Sequence, residues 1–126
     1  MKKIVETSKA PAPIGPYSQA VLADNTLYTS GQIAIDPATG QLITSDIAAE
    51  TMQVMQNLKA VLEAAGMDFS HVLKSTIYLT DMDDFQSINK VYGSYFREED
   101  APARETVQVA RLPKDVHVEI SCIAKK

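Results

Sequence analysis

Apolar positions change their spacing several times along the chain, and each change marks an element. TLYTSGQIAI (Thr26 to Ile35) is rich in β-branched and aromatic residues and reads as a strand, with a turn signal in the preceding Ala23-Asp24-Asn25. DPATGQ makes a second turn. From Asp46 to Ala65 the period lengthens. Ile47, Thr51, Val54, Leu58, Val61, Leu62 and Ala65 recur at helical spacing, with Ser45 or Asp46 to cap the start and Gly66 to end it. VLKSTIYLT (Val72 to Thr80) reads as a strand. Behind the acidic DMDD, residues Phe85, Ile88, Val91, Tyr92, Tyr95 and Phe96 line one side of a second helix. Gly93 within it costs ~1 kcal/mol relative to alanine, which the aromatic stripe offsets. Two last strands are predicted from Arg104 to Ala110 and from Val116 to Ala124. The order is α+β: a mainly antiparallel sheet with two helices packed on one face. The other face must meet solvent or another subunit.

The final two strands alternate clearly. Val107 and Val109 face one way, and Arg104, Thr106 and Gln108 the other. Val116, Val118, Ile120 and Cys122 form an apolar row opposite His117, Glu119 and Ser121. Pairing the strands as a hairpin through RLPKD puts Arg104 and Glu119 on one face, as direct or diagonal cross-strand neighbours. Taken alone, this hairpin favours a solvated surface ion pair, worth ~0–1 kcal/mol, over a functional site. A site needs walls, and a flat sheet face has none unless a loop or a neighbouring chain supplies them.

Composition narrows the class. The chain has 126 residues, 45% hydrophobic and 22% charged, which fits one globular domain spanning residues 1–126. Net charge is −4, which argues against wrapping nucleic acid by bulk charge. The lone Cys122 forms no intrachain disulfide, and with the isolated His71 and His117 it makes no zinc pattern. MKKIVETSKAPAP lacks the apolar core of a signal peptide, and nothing reaches the length of a membrane span. The expectation is a soluble cytoplasmic protein without a metal.

Individual residues divide between bland and functional readings. APAPIGPYSQ is a stiff, irregular loop, and Tyr17 within it is either packed or a pocket wall with a hydroxyl. Ser30-Gly31 lies inside a predicted strand, where glycine marks a bulge or a close backbone approach. Cys122 falls on the apolar row and reads as a small buried hydrophobe. His117 reads as solvated, and the Tyr92, Tyr95, Phe96 stripe as helix core rather than a base-stacking platform.

Together, APAPIGPYSQA, YTSGQIAID, NLKAVLEAAG, VYGSYF and PARETVQVARLPKDVHVEI resemble the reactive intermediate deaminase family, RidA or YjgF, essentially from end to end. The resemblance implies a chorismate-mutase-like fold, a homotrimer with active sites between subunits, and no cofactor. It implies hydrolysis of 2-imino acids and their enamine tautomers, of the 2-iminobutanoate and 2-iminopropanoate type, to 2-keto acids and ammonia. By the same resemblance, Arg104 grips the substrate carboxylate and Glu119 orients or activates water. Tyr17, Ser30, Gly31, Asn89 and Thr106 line the cleft. Thr106 stands where many family members carry cysteine, which excludes thiol chemistry at that position here. Two other functions compete: a trimeric module that binds a small carboxylate without turnover, and an RNA-cleaving or holdase activity. The acidic balance counts against RNA.

Overall fold

The computed structural model describes residues 1–126. Its six strands are β1 (Lys2–Val5), β2 (Ala20–Ala23), β3 (Thr26–Thr29), β4 (Val72–Leu79), β5 (Ala103–Gln108) and β6 (Val118–Lys125). They form one sheet in the order β1-β2-β3-β6-β4-β5. Every neighbouring pair is antiparallel except β4 and β5, which run parallel. The helices α1 (Ile47–Ala64) and α2 (Phe85–Gly93) complete the expected α+β architecture.

Local chemistry explains the main elements. Asp46 caps α1 by accepting from the Ala49 N–H at 2.8 Å, and Gly66, at φ +73°, takes the left-handed position that closes it. Asp24 and Asn25 both have positive φ, 49° and 67°, so β2 and β3 close through a two-residue turn of the kind that matches strand twist. The helical period delivers Val54, Met55, Leu58, Val61 and Leu62 to the sheet, where they meet Leu27, Ile77, Leu79, Val118 and Ile120 in one continuous core. Each such side chain, fully buried, is worth ~1.5–3 kcal/mol.

Three expectations need correction. The strand predicted over Thr26–Ile35 ends at Thr29, and beyond it only single bridges remain, Gln32 with Ile120 and Ile35 with Leu42. One further in-register bond, from the Ser30 N–H to the Gln19 carbonyl at 2.9 Å, extends the β2–β3 pairing before the strand ends. The second helix ends at Gly93 rather than Phe96. The chain tightens there into i→i+3 bonds, so that Tyr95 and Phe96 pack edge-on against Phe69 at 5.2 and 5.3 Å.

The third correction is the largest. β5 and β6 are not a hairpin, because β4 lies between them and pairs with both. The connection Val109–His117 is too long for a tight turn. It buries Leu112 and Val116 against Ile33 and carries Lys114 and Asp115 at φ 56° and 58°. Ser75 on β4 is registered with both Arg104 and Cys122, and Ile77 with both Thr106 and Ile120. The polar row of β5 therefore lies on the same face as the apolar row of β6. Tyr78 is registered with Glu119, three residues along from Ser75, so Glu119 points to the opposite face.

Candidate functional site

The residues singled out from the sequence fall into two groups, one on each face of the sheet. On the face away from the helices, Glu119 stands over Gly31. A Cβ built on Gly31 would lie 2.1 Å from Glu119 Oε2, so only glycine leaves this space for the carboxylate. This is the close approach that the glycine in SGQI signals. Ser30 is fixed beside it, its Oγ donating to the Ser18 carbonyl at 2.5 Å. Tyr17 comes from the proline-rich loop, and its hydroxyl accepts from the Ile14 N–H at 3.2 Å. These residues, with Ile14, Ile33 and Pro113, line a cavity of about 330 Å³. Asn57 of α1 steadies its floor by donating to the Ile33 and Ile35 carbonyls at 3.0 and 2.9 Å.

Glu119 has no ion-pair partner in the chain, and burial alone pushes its carboxyl above the usual carboxylate range. Such a group accepts or returns a proton closer to neutral pH than a solvated glutamate does.

The second group sits at the β5 edge on the helix side. Phe85, Asn89 and Tyr92 follow one another on the same side of α2, at positions i, i+4 and i+7. Arg104 lies against this stripe. One terminal nitrogen donates to Asn89 Oδ1 at 2.7 Å, and the guanidinium carbon is 5.0 Å from the Tyr92 ring centroid and 5.7 Å from that of Phe85. Tyr92 is itself held by a 2.9 Å hydrogen bond to Ser75. An aromatic cradle of this kind fixes the guanidinium plane while leaving most of its five donors unspent, ready for a planar anion. Thr106 follows on the same face, and its buried hydroxyl has no partner in the chain.

The structure therefore brings Glu119, Gly31, Ser30 and Tyr17 together, and Arg104, Asn89 and Thr106 together, but keeps the two sets apart. Sequence reasoning placed Phe85 along one side of the second helix and read Tyr92 as helix core; their spacing with Asn89 was the available signal for a second role. Ile14, Ile33 and Pro113 were not singled out, and Glu50 was missed altogether. Glu50 is fully buried in the first turn of α1 and accepts from the N–H groups of His117 and Val118 at 2.7 and 3.1 Å. It also meets His117 Nδ1 at 2.8 Å, and this hydrogen bond holds the His117 imidazole above its ordinary value. Cys122 is buried on the core face as expected, and burial pushes its thiol up to about 11. No three His, Cys, Asp or Glu side chains converge as a metal site, and no helix is long and apolar enough to cross a membrane.

Comparison with known proteins gives consistent matches. The family model described as Endoribonuclease L-PSP matches residues 7–126. A RutC family protein of Pyrococcus horikoshii is 54% identical over 126 residues, covering 100% of this chain and 99% of its own. The 2-iminobutanoate/2-iminopropanoate deaminase of Bos taurus is 52% identical over 124 residues, covering 98% of this chain and 90% of its own. Among solved structures, E. coli TdcF with bound serine superposes with a TM-score of 0.92 at 44% identity, covering 98% of each chain.

Proposed function

Because this chain belongs to the RidA/YjgF family, the family of the Endoribonuclease L-PSP model, we propose that it hydrolyses 2-imino acids and their enamine tautomers to 2-keto acids and ammonia. The observation that carries the reading is the Glu119 carboxyl: half-buried, unpaired, raised in pKa by burial and facing a cavity. A carboxyl with a structural job alone is normally matched to a cation or to N–H donors, as Glu50 is.

The chemistry asks little beyond these side chains. The imine carbon is already electrophilic, so neither a covalent nucleophile nor a metal is needed. Arg104 binds the substrate carboxylate through parallel N–H donors, which orients a small molecule as well as holding it. Glu119 takes a proton from water as it attacks the imine carbon, giving a carbinolamine. Starting from the protonated imine, Glu119 returns that proton to the carbinolamine nitrogen and then takes the hydroxyl proton as the C–N bond breaks. Ammonia leaves and carries off that proton as ammonium, and the keto acid remains as product. For an enamine, one protonation at the β-carbon comes first, and the same carboxyl serves it.

The site proposed here is assembled between copies of the chain. Arg104 of one subunit faces Glu119 of a neighbour, in a homotrimer of the kind the family resemblance implies. The opposite placement of the two residues within one chain supports this, as does the row of Ile4, Val21, Tyr28 and Ile123 crossing four strands of the sheet face away from the helices. Ile4 and Tyr28 in that row remain about half exposed, at 48% and 49%, which is unusual for a sheet face that meets only water.

The experiment couples a threonine or serine dehydratase to this protein and follows keto-acid release. Acceleration by the wild type, and its loss in Arg104→Ala and Glu119→Gln, is the expected result. No acceleration by the wild type would overturn the deaminase reading. One alternative has its own observation: Arg104 and its aromatic cradle need no Glu119 to bind a small carboxylate. Binding of 2-oxobutanoate without turnover of the imine favours that non-catalytic module.

A further inference from the structure

The loop between β1 and β2, residues 6–19, carries Ile14 and Tyr17 over the Glu119 cavity. Its returning limb is anchored at the end of β3 by two bonds, from the Ser30 hydroxyl to the Ser18 carbonyl and from the Ser30 N–H to the Gln19 carbonyl, but its outgoing limb has no backbone bond to the sheet. The Tyr17 N–H bonds to the Gly15 carbonyl and the Tyr17 hydroxyl to the Ile14 N–H, both within the loop tip. Lys9 N–H bonds only to Thr7 Oγ1. Past the β1–β2 pairing at Val5 and Ala20, what ties residues 7–11 to the returning limb is one side chain.

Gln19 is 3% exposed, and its amide makes four hydrogen bonds. Its Oε1 accepts from the Thr7 N–H at 2.7 Å. Its Nε2 donates to the carbonyls of Thr7, Ala10 and Pro11 at 3.0, 3.2 and 2.8 Å, two hydrogens shared among three acceptors. The Gln19 backbone carbonyl meanwhile accepts from Ser30 N–H at 2.9 Å, beside Gly31. A single residue thus ties the outgoing limb of the loop to the strand end that carries Ser30 and Gly31. Prolines at 11, 13 and 16 stiffen the span between, so fixing its base fixes its tip.

We propose that Gln19 is a positioning residue: its buried side-chain amide is the clasp that holds the Ile14–Tyr17 tip over the Glu119 cavity. It touches no reacting atom and acts through the loop wall. This rests on the deaminase reading for its kinetic consequence, but the clasp itself is independent of that reading. Gln19 supports the wall that encloses substrate, whereas Glu119 is carried by β6. Loosening the clasp therefore weakens substrate capture more than it slows the chemical step.

The test is Gln19→Glu, which keeps the shape and the acceptor but replaces the donating nitrogen with an oxygen facing three carbonyls. Two readouts are taken on the full-length protein. Hydrogen exchange followed by mass spectrometry compares peptides covering residues 6–18 with those covering β3 and β6. Steady-state kinetics with 2-iminobutanoate, supplied at graded flux by threonine dehydratase, separates KM from kcat. The expected result is exchange at least about tenfold faster in the loop with the strands unchanged, and KM raised about tenfold with kcat within about twofold. Unchanged loop exchange, or a fall in kcat at constant KM, overturns the proposal. If Gln19→Glu does not fold, Gln19→Met removes all four bonds without a charge and is judged by the same outcomes. If the wild type shows no turnover, the deaminase reading fails and loop exchange alone decides the role of Gln19.

Discussion

Arg104 and Glu119 stand on opposite faces of the sheet in one chain, with β4 running between their strands. Two strand spacings, roughly 10 Å, separate the backbones that carry them, and the sheet itself lies between the side chains. A molecule as small as a 2-imino acid does not span that barrier. The pairing that the family resemblance implies therefore requires two chains, with each face supplying half of a site.

Gly31→Ala tests the Glu119 half by sterics alone. Its Cβ would fall 2.1, 2.7 and 2.9 Å from Glu119 Oε2, Cδ and Cγ, all side-chain atoms, so the whole side chain beyond Cβ turns away and the backbone stays. Melting temperature is expected to change by no more than about 3 °C while kcat drops about 100-fold, the scale of a misplaced catalytic group. An active Gly31→Ala enzyme would mean that the position of this carboxylate is not critical.

Glu119→Gln is expected to trade stability against activity with a definite pH signature. The folded-state carboxyl is raised by burial, so the folded chain holds its proton more tightly than the unfolded chain does. Ionised Glu119 therefore penalises folding. The penalty is absent below the unfolded value, grows as pH rises, and is complete above the folded value. The variant should melt higher than wild type by about 1–3 °C at pH 7, with the gap closing near pH 4, and should be inactive throughout. Thermal melts at the two pH values check the sign. A gap that widens toward acid would contradict it.

Much of this architecture was legible in the sequence, and the failures have physical causes. The cap at Asp46, the helix stop at Gly66 and the turn at Asp24-Asn25 are local, and local chemistry decided them. β1 and β2 are four residues each, too short for a period to register. The order of β4, β5 and β6 is non-local, since alternation says which residues share a face of one strand but not which strand lies beside it. Residues in RLPKD looked like a hairpin turn, yet Leu112 and Val116 are buried anchors of a longer connection. That error placed Arg104 and Glu119 on one face, and only the register through Ser75 and Tyr78 separates them. Glu50 was invisible for a similar reason: its partners, His117 and Val118, are 67 and 68 residues away.

Glu50 has its own expected behaviour. Glu50→Ala leaves two N–H groups at His117 and Val118 without their acceptor and should destabilise by about 3 kcal/mol, measured by urea unfolding. Glu50→Gln keeps an acceptor and should lose less. The His117 imidazole is raised above 6.5, first by its hydrogen bond to Glu50 and further by the nearby Asp84. Its stabilisation is fully present below about pH 6.5 and is lost as pH rises through the folded value. The stability gap between wild type and Glu50→Gln should therefore narrow as pH rises from about 6.5 through the folded value, and a gap that does not move would show that the imidazole contributes nothing.

The most direct measurement is subunit complementation. Arg104→Ala and Glu119→Gln are each prepared as inactive proteins, then unfolded, mixed in equal amounts and refolded together. If every site takes Arg104 from one chain and Glu119 from its neighbour, random mixing leaves about one site in four with both residues intact. Deaminase activity of the mixture, followed as keto-acid release from dehydratase-generated imine, should return to about a quarter of wild type. A mixture that stays as inactive as its two parents, despite exchange of subunits, would contradict the two-chain site.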